Sequence, residues 1–154
     1  MPAAPTAENL DDVTVRQFSV FLQNKVGALL EVVKLLNEHH IMVLALSIQD
    51  SSDSSNVRMI VSDPQALAES FREHNIPYSE CGVMVLELRE GAADLATALA
   101  ALLMAEVNIY FSYPLLIRPR GRAVLALHLD DVECSSSVLR GEGFQLLNQS
   151  DLSR

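Results

Sequence analysis

The chain has 154 residues, 49% of them hydrophobic, and a formal net charge of −9, enough for one medium domain or two small ones. That charge excludes nucleic acid as a partner: backbone phosphates are held by clustered Lys and Arg, and the densest basic run is "RPRGR", residues 118–122. No apolar stretch reaches the roughly 18–20 residues that span a bilayer, and "MPAAPTAENLDD" has neither a basic n-region nor an apolar h-region; the expectation is a cytoplasmic protein without membrane contact, with a disordered leader over residues 1–12.

The first strand is expected near 13–22. In "QNKVGALLEVVKLLNEHH", residues 23–40, a polar turn with one glycine runs into Leu29, Val32, Val33 and Leu36, whose i, i+3, i+4, i+7 spacing predicts a helix near 27–39. Strands follow near 42–50 and 57–62. A second helix near 64–74 is marked by Asp63 as N-cap and Pro64 at the first position, and a strand near 77–81 closes the unit.

The same order then recurs. Leu95, Ala98, Leu99 and Leu102 repeat the helical stripe at an offset of 66, and Val107-Asn108-Ile109 stands where Ile41-Met42-Val43 stood, a duplication. The second copy predicts a strand near 83–89, a helix near 93–105, strands near 108–116 and 122–129, and a helix near 131–140. The "ECSSS" in that last helix is poor helix sequence; Gly141 or Gly143 ends it before a strand near 144–148. The fold class is α+β: two ferredoxin-like βαββαβ repeats, residues 13–81 and 82–150, each an antiparallel sheet with both helices on one face.

In "MVLALSI", alternation puts Val43, Ala45 and Ser47 on one face and Met42, Leu44, Leu46 and Ile48 on the other. Both sets are largely apolar, so both faces should be buried. The helices cover one; the other repeat or a second chain must cover the back, and a homodimer meeting at Leu44 and Leu46 is the expectation. Tyr110, with Asn108 and Ser112, is expected on the back face lining an inter-repeat pocket, with Phe111 and Tyr113 facing the helices.

The motifs "NKVGALLEVVKLLNEHHI", "ALSIQD", "RMIVSDPQAL" and "VNIYFSY", in this order and spacing, resemble the tandem ACT-domain proteins over about residues 13–150. The resemblance implies a ferredoxin-like fold in each repeat, assembly through the sheets, and binding of a small molecule, usually an amino acid, in the loop after the first strand. The family's loop reads approximately acidic-x-Pro-Gly-x-Leu. Asn24 stands at the acidic position, Val26 at Pro, Gly27 at Gly and Leu29 at Leu. The implied ligand site is therefore Gln23, Asn24, Lys25, Val26, Gly27, Ala28 and Leu29, together with Asn108 and Tyr110. In the second copy Glu90 falls at the acidic position but Ala92 and Ala93 replace Pro-Gly, so the first loop is the better candidate. The blander reading of residues 23–28 is helix initiation, with Asn24 as cap and Gly27 incidental.

Other motifs read as structural. His39 and His40 diverge by about 100° on a helix and cannot chelate one metal together. His74 and His128 have no metal-ligand spacing with Cys81 or Cys134, and two cysteines make no disulfide framework. "QDSSDSSN", residues 49–56, lacks the EF-hand's glycine and distal glutamate, and Arg118, Arg120 and Arg122 sit at a hairpin tip where charges are usually solvated. GxxxxGK[ST], GxGxxG and Gly-x-Ser-x-Gly are all absent. These observations predict a non-enzymatic module without metal or cofactor, and the family resemblance implies that it regulates a partner through an amino-acid effector; a ligand-free dimerisation protein is the alternative.

Overall fold

The computed structural model describes residues 13–23, 27–50 and 54–153; residues 1–12, 24–26, 51–53 and 154 lie outside them. The first repeat runs β1 (Val15–Gln23), α1 (Ala28–Glu38), β2 (Val43–Asp50), β3 (Ser54–Val61), α2 (Pro64–Glu73) and β4 (Tyr78–Leu88). The second continues with α3 (Ala92–Met104), β5 (Ile109–Pro114), β6 (Ala123–Leu129), α4 (Val132–Gly141) and β7 (Leu146–Leu147), and a short α5 (Gln149–Leu152) ends the described chain.

Local chemistry sets the helix limits. The Asp63 side chain accepts from the Ala66 amide with Pro64 at the first position of α2, and Asp131 caps Cys134 in the same way at the start of α4. The serines of "ECSSS" are accommodated in α4 because Ser135 and Ser136 are buried and their hydroxyls bond back to the carbonyls of Asp131 and Glu133. Helices α1 to α4 each close on a left-handed residue: His40, Asn75, Glu106 and Gly143. The next amide reaches back in every case, from Ile41 to Leu36, Ile76 to Phe71, Val107 to Leu102 and Phe144 to Leu139. This is the same C-terminal motif four times, with an apolar residue following the left-handed one.

The strands form one antiparallel sheet in the order β2-β3-β1-β4-β6-β5, with β7 also on β4. The strands expected at 77–81 and 83–89 are continuous as β4, so the 81/82 boundary falls inside a strand. Residues 78–83 pair with β1, and residues 84–88 pair with β6. Each half keeps the ferredoxin-like order, β4-β1-β3-β2 and then β7-β4-β6-β5, sharing β4. At the changeover a Cβ on Gly82 would meet Thr14 at 3.1 Å, closer than a side chain tolerates without movement.

Three apolar cores result. Two lie between a repeat's sheet and its helices, built on Phe18, Leu36, Met59 and Phe71 in the first and on Met84, Leu86, Leu102 and Leu139 in the second. The third joins the back faces: Val15, Leu44, Ala45 and Ile60 of the first repeat meet Val83, Val85, Tyr113, Val124 and Ala126, with Leu147 and Leu152. The other repeat therefore covers the apolar back, the first of the two covers the strand pattern allowed, so this face gives no reason to expect a homodimer at Leu44 and Leu46. Leu44 is buried within the chain, while Leu46 packs on the helix-side core.

That separation of Leu44 from Leu46 has a local cause. The ladder between β2 and β3 shifts register between Val43 and Ala45, and a bulge reverses the alternation beyond it. The β5–β6 ladder shifts at the equivalent place, between Ile109 and Phe111. Phe111 and Tyr113 consequently join the inter-repeat core instead of facing the helices, and Tyr110 is 63% exposed.

Candidate functional site

The turn after β1 is framed by described residues on both sides. Gly27 is the N-cap of α1, with φ at 95°, in the left-handed region that favours glycine. Among the described residues, no heavy atom lies within 4 Å of where its Cβ would stand. Gly27 offers no side chain to the first turn of α1, unlike Asp63 on α2 and Asp131 on α4. A helix start leaves N–H groups without intrahelical partners and favours negative charge. Gly27 is thus the cap itself, which corrects the reading that made it incidental. Asn24, Lys25 and Val26 lie outside the described residues.

Two grooves flank this turn and share Leu22 and Ala28. A small one of about 170 Å³ is lined by Leu22, Gln23, Ala28, Leu29, Ile48, Ser55 and Val57. It brings together three of the expected site positions, Gln23, Ala28 and Leu29, at the β2 edge of the sheet. The larger, about 490 Å³, runs along α1 to the end of α2 between Val32, Leu35 and Ile76, with Glu31, Lys34, Glu38 and His74 on its rim.

Asn108 and Tyr110 do not join them. Asn108 is bonded through both its amide groups to the Asp130 carboxylate, at 3.1 and 2.8 Å, and Tyr110 rests on the His128 ring with centroids 5.3 Å apart. Neither lines either groove. The second repeat also keeps a glycine of positive φ at its turn, though its ψ of −127° sets it apart from the left-handed Gly27. Gly91 (φ 61°) is the N-cap of α3, which begins at Ala92, so Ala93 is a helical residue and the turn's glycine stands two positions before the place the offset of 66 assigns.

Behind the turn, β1 carries a polar network into the inter-repeat core. The Tyr113 hydroxyl donates to Gln17 Oε1 at 2.5 Å, and Gln17 Nε2 donates to Cys81 Sγ at 3.3 Å. Gln17 is 1% exposed. Burial pushes both the Tyr113 hydroxyl and the Cys81 thiol above their usual pKa, against the opposing pull of Arg58. The Arg58 guanidinium lies 3.9 Å from the Phe111 ring centre, and burial, then Arg58, lowers the His128 pKa. The hairpin arginines have a partner that the sequence pattern did not signal: the buried Glu87 carboxylate accepts from Arg122 at 2.7 Å, with Arg120 at 4.0 Å. Among the described residues no group of three His, Cys, Asp or Glu is placed to hold a metal ion, and no helix is long and apolar enough to cross a membrane.

Two ferredoxin-like units sharing one strand narrow the comparison, and the family model for an ACT domain pair matches residues 13–154. The chain belongs to that family. The ACT pair is similar in structure to a protein of Bacteroides thetaiotaomicron at 26% identity and a TM-score of 0.85, over 94% of this chain and 99% of that one. It shares its fold with the regulatory subunit of aspartate kinase from Thermus thermophilus (14% identity, TM-score 0.59, 86% and 93% covered). The same subunit from Thermus flavus is comparable (14%, 0.56, 84% and 90%). No curated protein matches the chain by sequence.

Proposed function

We propose that this ACT pair is a stand-alone, non-enzymatic regulatory module that binds a small effector, an amino acid, at the turn between β1 and α1. The observation that carries the reading is Gly27: a left-handed glycine whose Cβ position is clear of the other described residues lets a ligand meet the backbone at the start of α1. A carboxylate there would meet the first-turn amides, and the groove of Leu22, Leu29, Ile48 and Val57 would take an apolar side chain. The effector acts by linkage, stabilising one arrangement of the repeats over another for a partner to read. β1 supports this coupling, since it ends at the turn and also sends Gln17 to Tyr113 of the other repeat.

The test is a thermal-shift screen of the full chain against the twenty common amino acids. Ligand at about 100 times its dissociation constant adds roughly 2.7 kcal/mol, about 5–11 °C at this chain length. Gly27→Asn keeps a residue that tolerates the left-handed region while placing a side chain in the ligand's path, and should remove the shift from a folded protein. Ala93→Asn, an exposed change in the first turn of α3, should leave it. A shift with no amino acid defeats the effector reading, and equal loss in both variants defeats the assignment to the first turn. The alternative, a ligand-free dimerisation module, is favoured by one observation, the exposure of Leu99, Leu103 and Met104 on α3.

A further inference from the structure

Residues 115–122 connect β5 to β6, and this connection touches both repeats. The Leu116 amide donates to the Leu44 carbonyl of β2 at 2.7 Å. Among the described residues it is the one backbone hydrogen bond between the repeats outside the sheet ladders. Leu115 and Ile117, on either side of it, pack against the inter-repeat core. At its other end the connection meets Glu87 of the shared strand β4, a carboxylate 1% exposed. A turn closed by the Gly121 amide on the Arg118 carbonyl at 3.0 Å lets Arg120 and Arg122 both reach that carboxylate.

The contact at Glu87 is only half made. Oε1 accepts from Arg122 at 2.7 Å, but Oε2 accepts no hydrogen bond from any described residue, and the Arg120 guanidinium stands 4.0 Å from it. A carboxylate taken out of water needs both a paired charge and bonds to its oxygens. The Arg120 and Arg122 side chains stay 53% and 44% exposed, so their attraction to Glu87 is open to screening by salt. Lifting the connection exchanges Arg122 for water at Oε1 and also supplies water to Oε2. It leaves the sheet whole, because β4 pairs with β6 through residues 84–88. We propose that residues 115–122 are a strap across the seam between the repeats, latched by Glu87 and the two arginines, which opens locally while both repeats stay folded. Closed, the strap holds β2, the edge strand of the first repeat, against the second repeat. Open, it frees that edge, and the repeats stay joined through β4 and the core between them. The inference needs no ligand and stands apart from the effector reading.

Amide hydrogen exchange of the full chain, resolved by NMR, tests it, because local opening and global unfolding release different sets of amides. In the wild type the Leu116 amide should exchange faster than the ladder amides between β4 and β6. Raising sodium chloride should speed Leu116 relative to that ladder. Arg120→Gln and Arg122→Gln together leave Glu87 without either guanidinium, and should speed Leu116 by more than about tenfold with the ladder unchanged. Adding Glu87→Gln removes the stranded charge and should return Leu116 most of the way to the wild-type rate. Leu116 exchange that neither salt nor the loss of both arginines alters overturns the latch. A common acceleration of Leu116 and the β4–β6 ladder overturns the local opening, since the connection would then part only with the whole repeat. A triple variant as fast as the double one overturns the role of the Glu87 charge.

Discussion

Replacing Tyr113 with Phe removes one oxygen from the core between the repeats. That oxygen donates to Gln17 Oε1 at 2.5 Å, and Gln17 is 1% exposed, so water cannot take its place without opening the core. Because burial raises the phenol's pKa, the hydroxyl stays protonated and a donor throughout the neutral range. Leaving a buried amide oxygen without its donor costs about 1–3 kcal/mol, a loss of roughly 2–12 °C in melting temperature at this size. Gln17→Leu strands the tyrosine hydroxyl at a similar cost. The double variant replaces both partners with apolar groups and should recover most of the loss. Urea unfolding followed by circular dichroism measures all three, with the midpoint moving at constant m. If Tyr113→Phe is as stable as the wild type, or if the two single costs simply add in the double variant, the pair does not join the repeats as described.

Glu106 closes α3 in the left-handed region, with φ at 58°, where a non-glycine residue costs about 1–2 kcal/mol; glycine there loses about 0.5–1 kcal/mol of chain entropy. Glu106→Gly should therefore stabilise the fold by about 0.5–1 kcal/mol, and a lowered calorimetric midpoint would show that the helix end is unstrained. His128 has its folded pKa lowered by burial first and by Arg58 second. Protonation thus favours the unfolded chain, and the His128 contribution is complete above the unfolded value of about 6.5 and is lost as pH falls through it. His128→Phe should flatten the loss of stability between neutral and mildly acid pH relative to wild type, because carboxylates titrate alike in both proteins; parallel curves would exclude His128 as a source.

Most of the fold was legible because its signals are local and repeated. The helical stripe Leu29–Leu36 and its copy at Leu95–Leu102 reveal the duplication without any tertiary information, and Asp63-Pro64 fixes the start of α2. What was not legible depends on one extra residue in each of two strands. Period-two alternation assigns every side chain from β2 to a face, but the bulge between Val43 and Ala45 sends Leu44 and Ala45 both to the inter-repeat core. Nothing in "MVLALSI" distinguishes a bulged from a regular strand, because each residue there is acceptable on either face. The same reversal at Ile109/Phe111 moved Tyr110 out of the expected pocket and Tyr113 into the core. Glu87 was hidden for another reason: a carboxylate in a strand of Val and Leu looks like an edge residue until the hairpin folds Arg122 onto it.

The turn at Gly27 shows where matching positions by a fixed offset stops describing structure. An offset of 66 aligns the buried residues Val32 and Leu36 with Ala98 and Leu102, and both pairs are buried, so the helices correspond. Carried back through the turn, the same offset sets Ala93 against Gly27 and makes the second loop look as if it had lost its glycine. The helix α3 instead begins two residues earlier in that frame, and Gly91, at positive φ, is its cap. A helix tolerates an added residue at its start because only its cap must change, whereas its buried stripe cannot shift without moving the core. Both turns therefore keep a glycine cap, and the difference between them lies in what surrounds it. The first turn opens beside an apolar groove of Leu22, Leu29, Ile48 and Val57. At the second turn Glu90 and Asp94 are tied together, the Asp94 carboxylate accepting from the Glu90 amide at 3.1 Å. An anionic group approaching α3 meets a carboxylate already in place three residues after the glycine, whereas the same position of α1 is Leu30 and its first-turn acid, Glu31, lies one residue further on, at the rim of the larger groove. That contrast, more than the presence of glycine, makes the first turn the one to test with an amino acid.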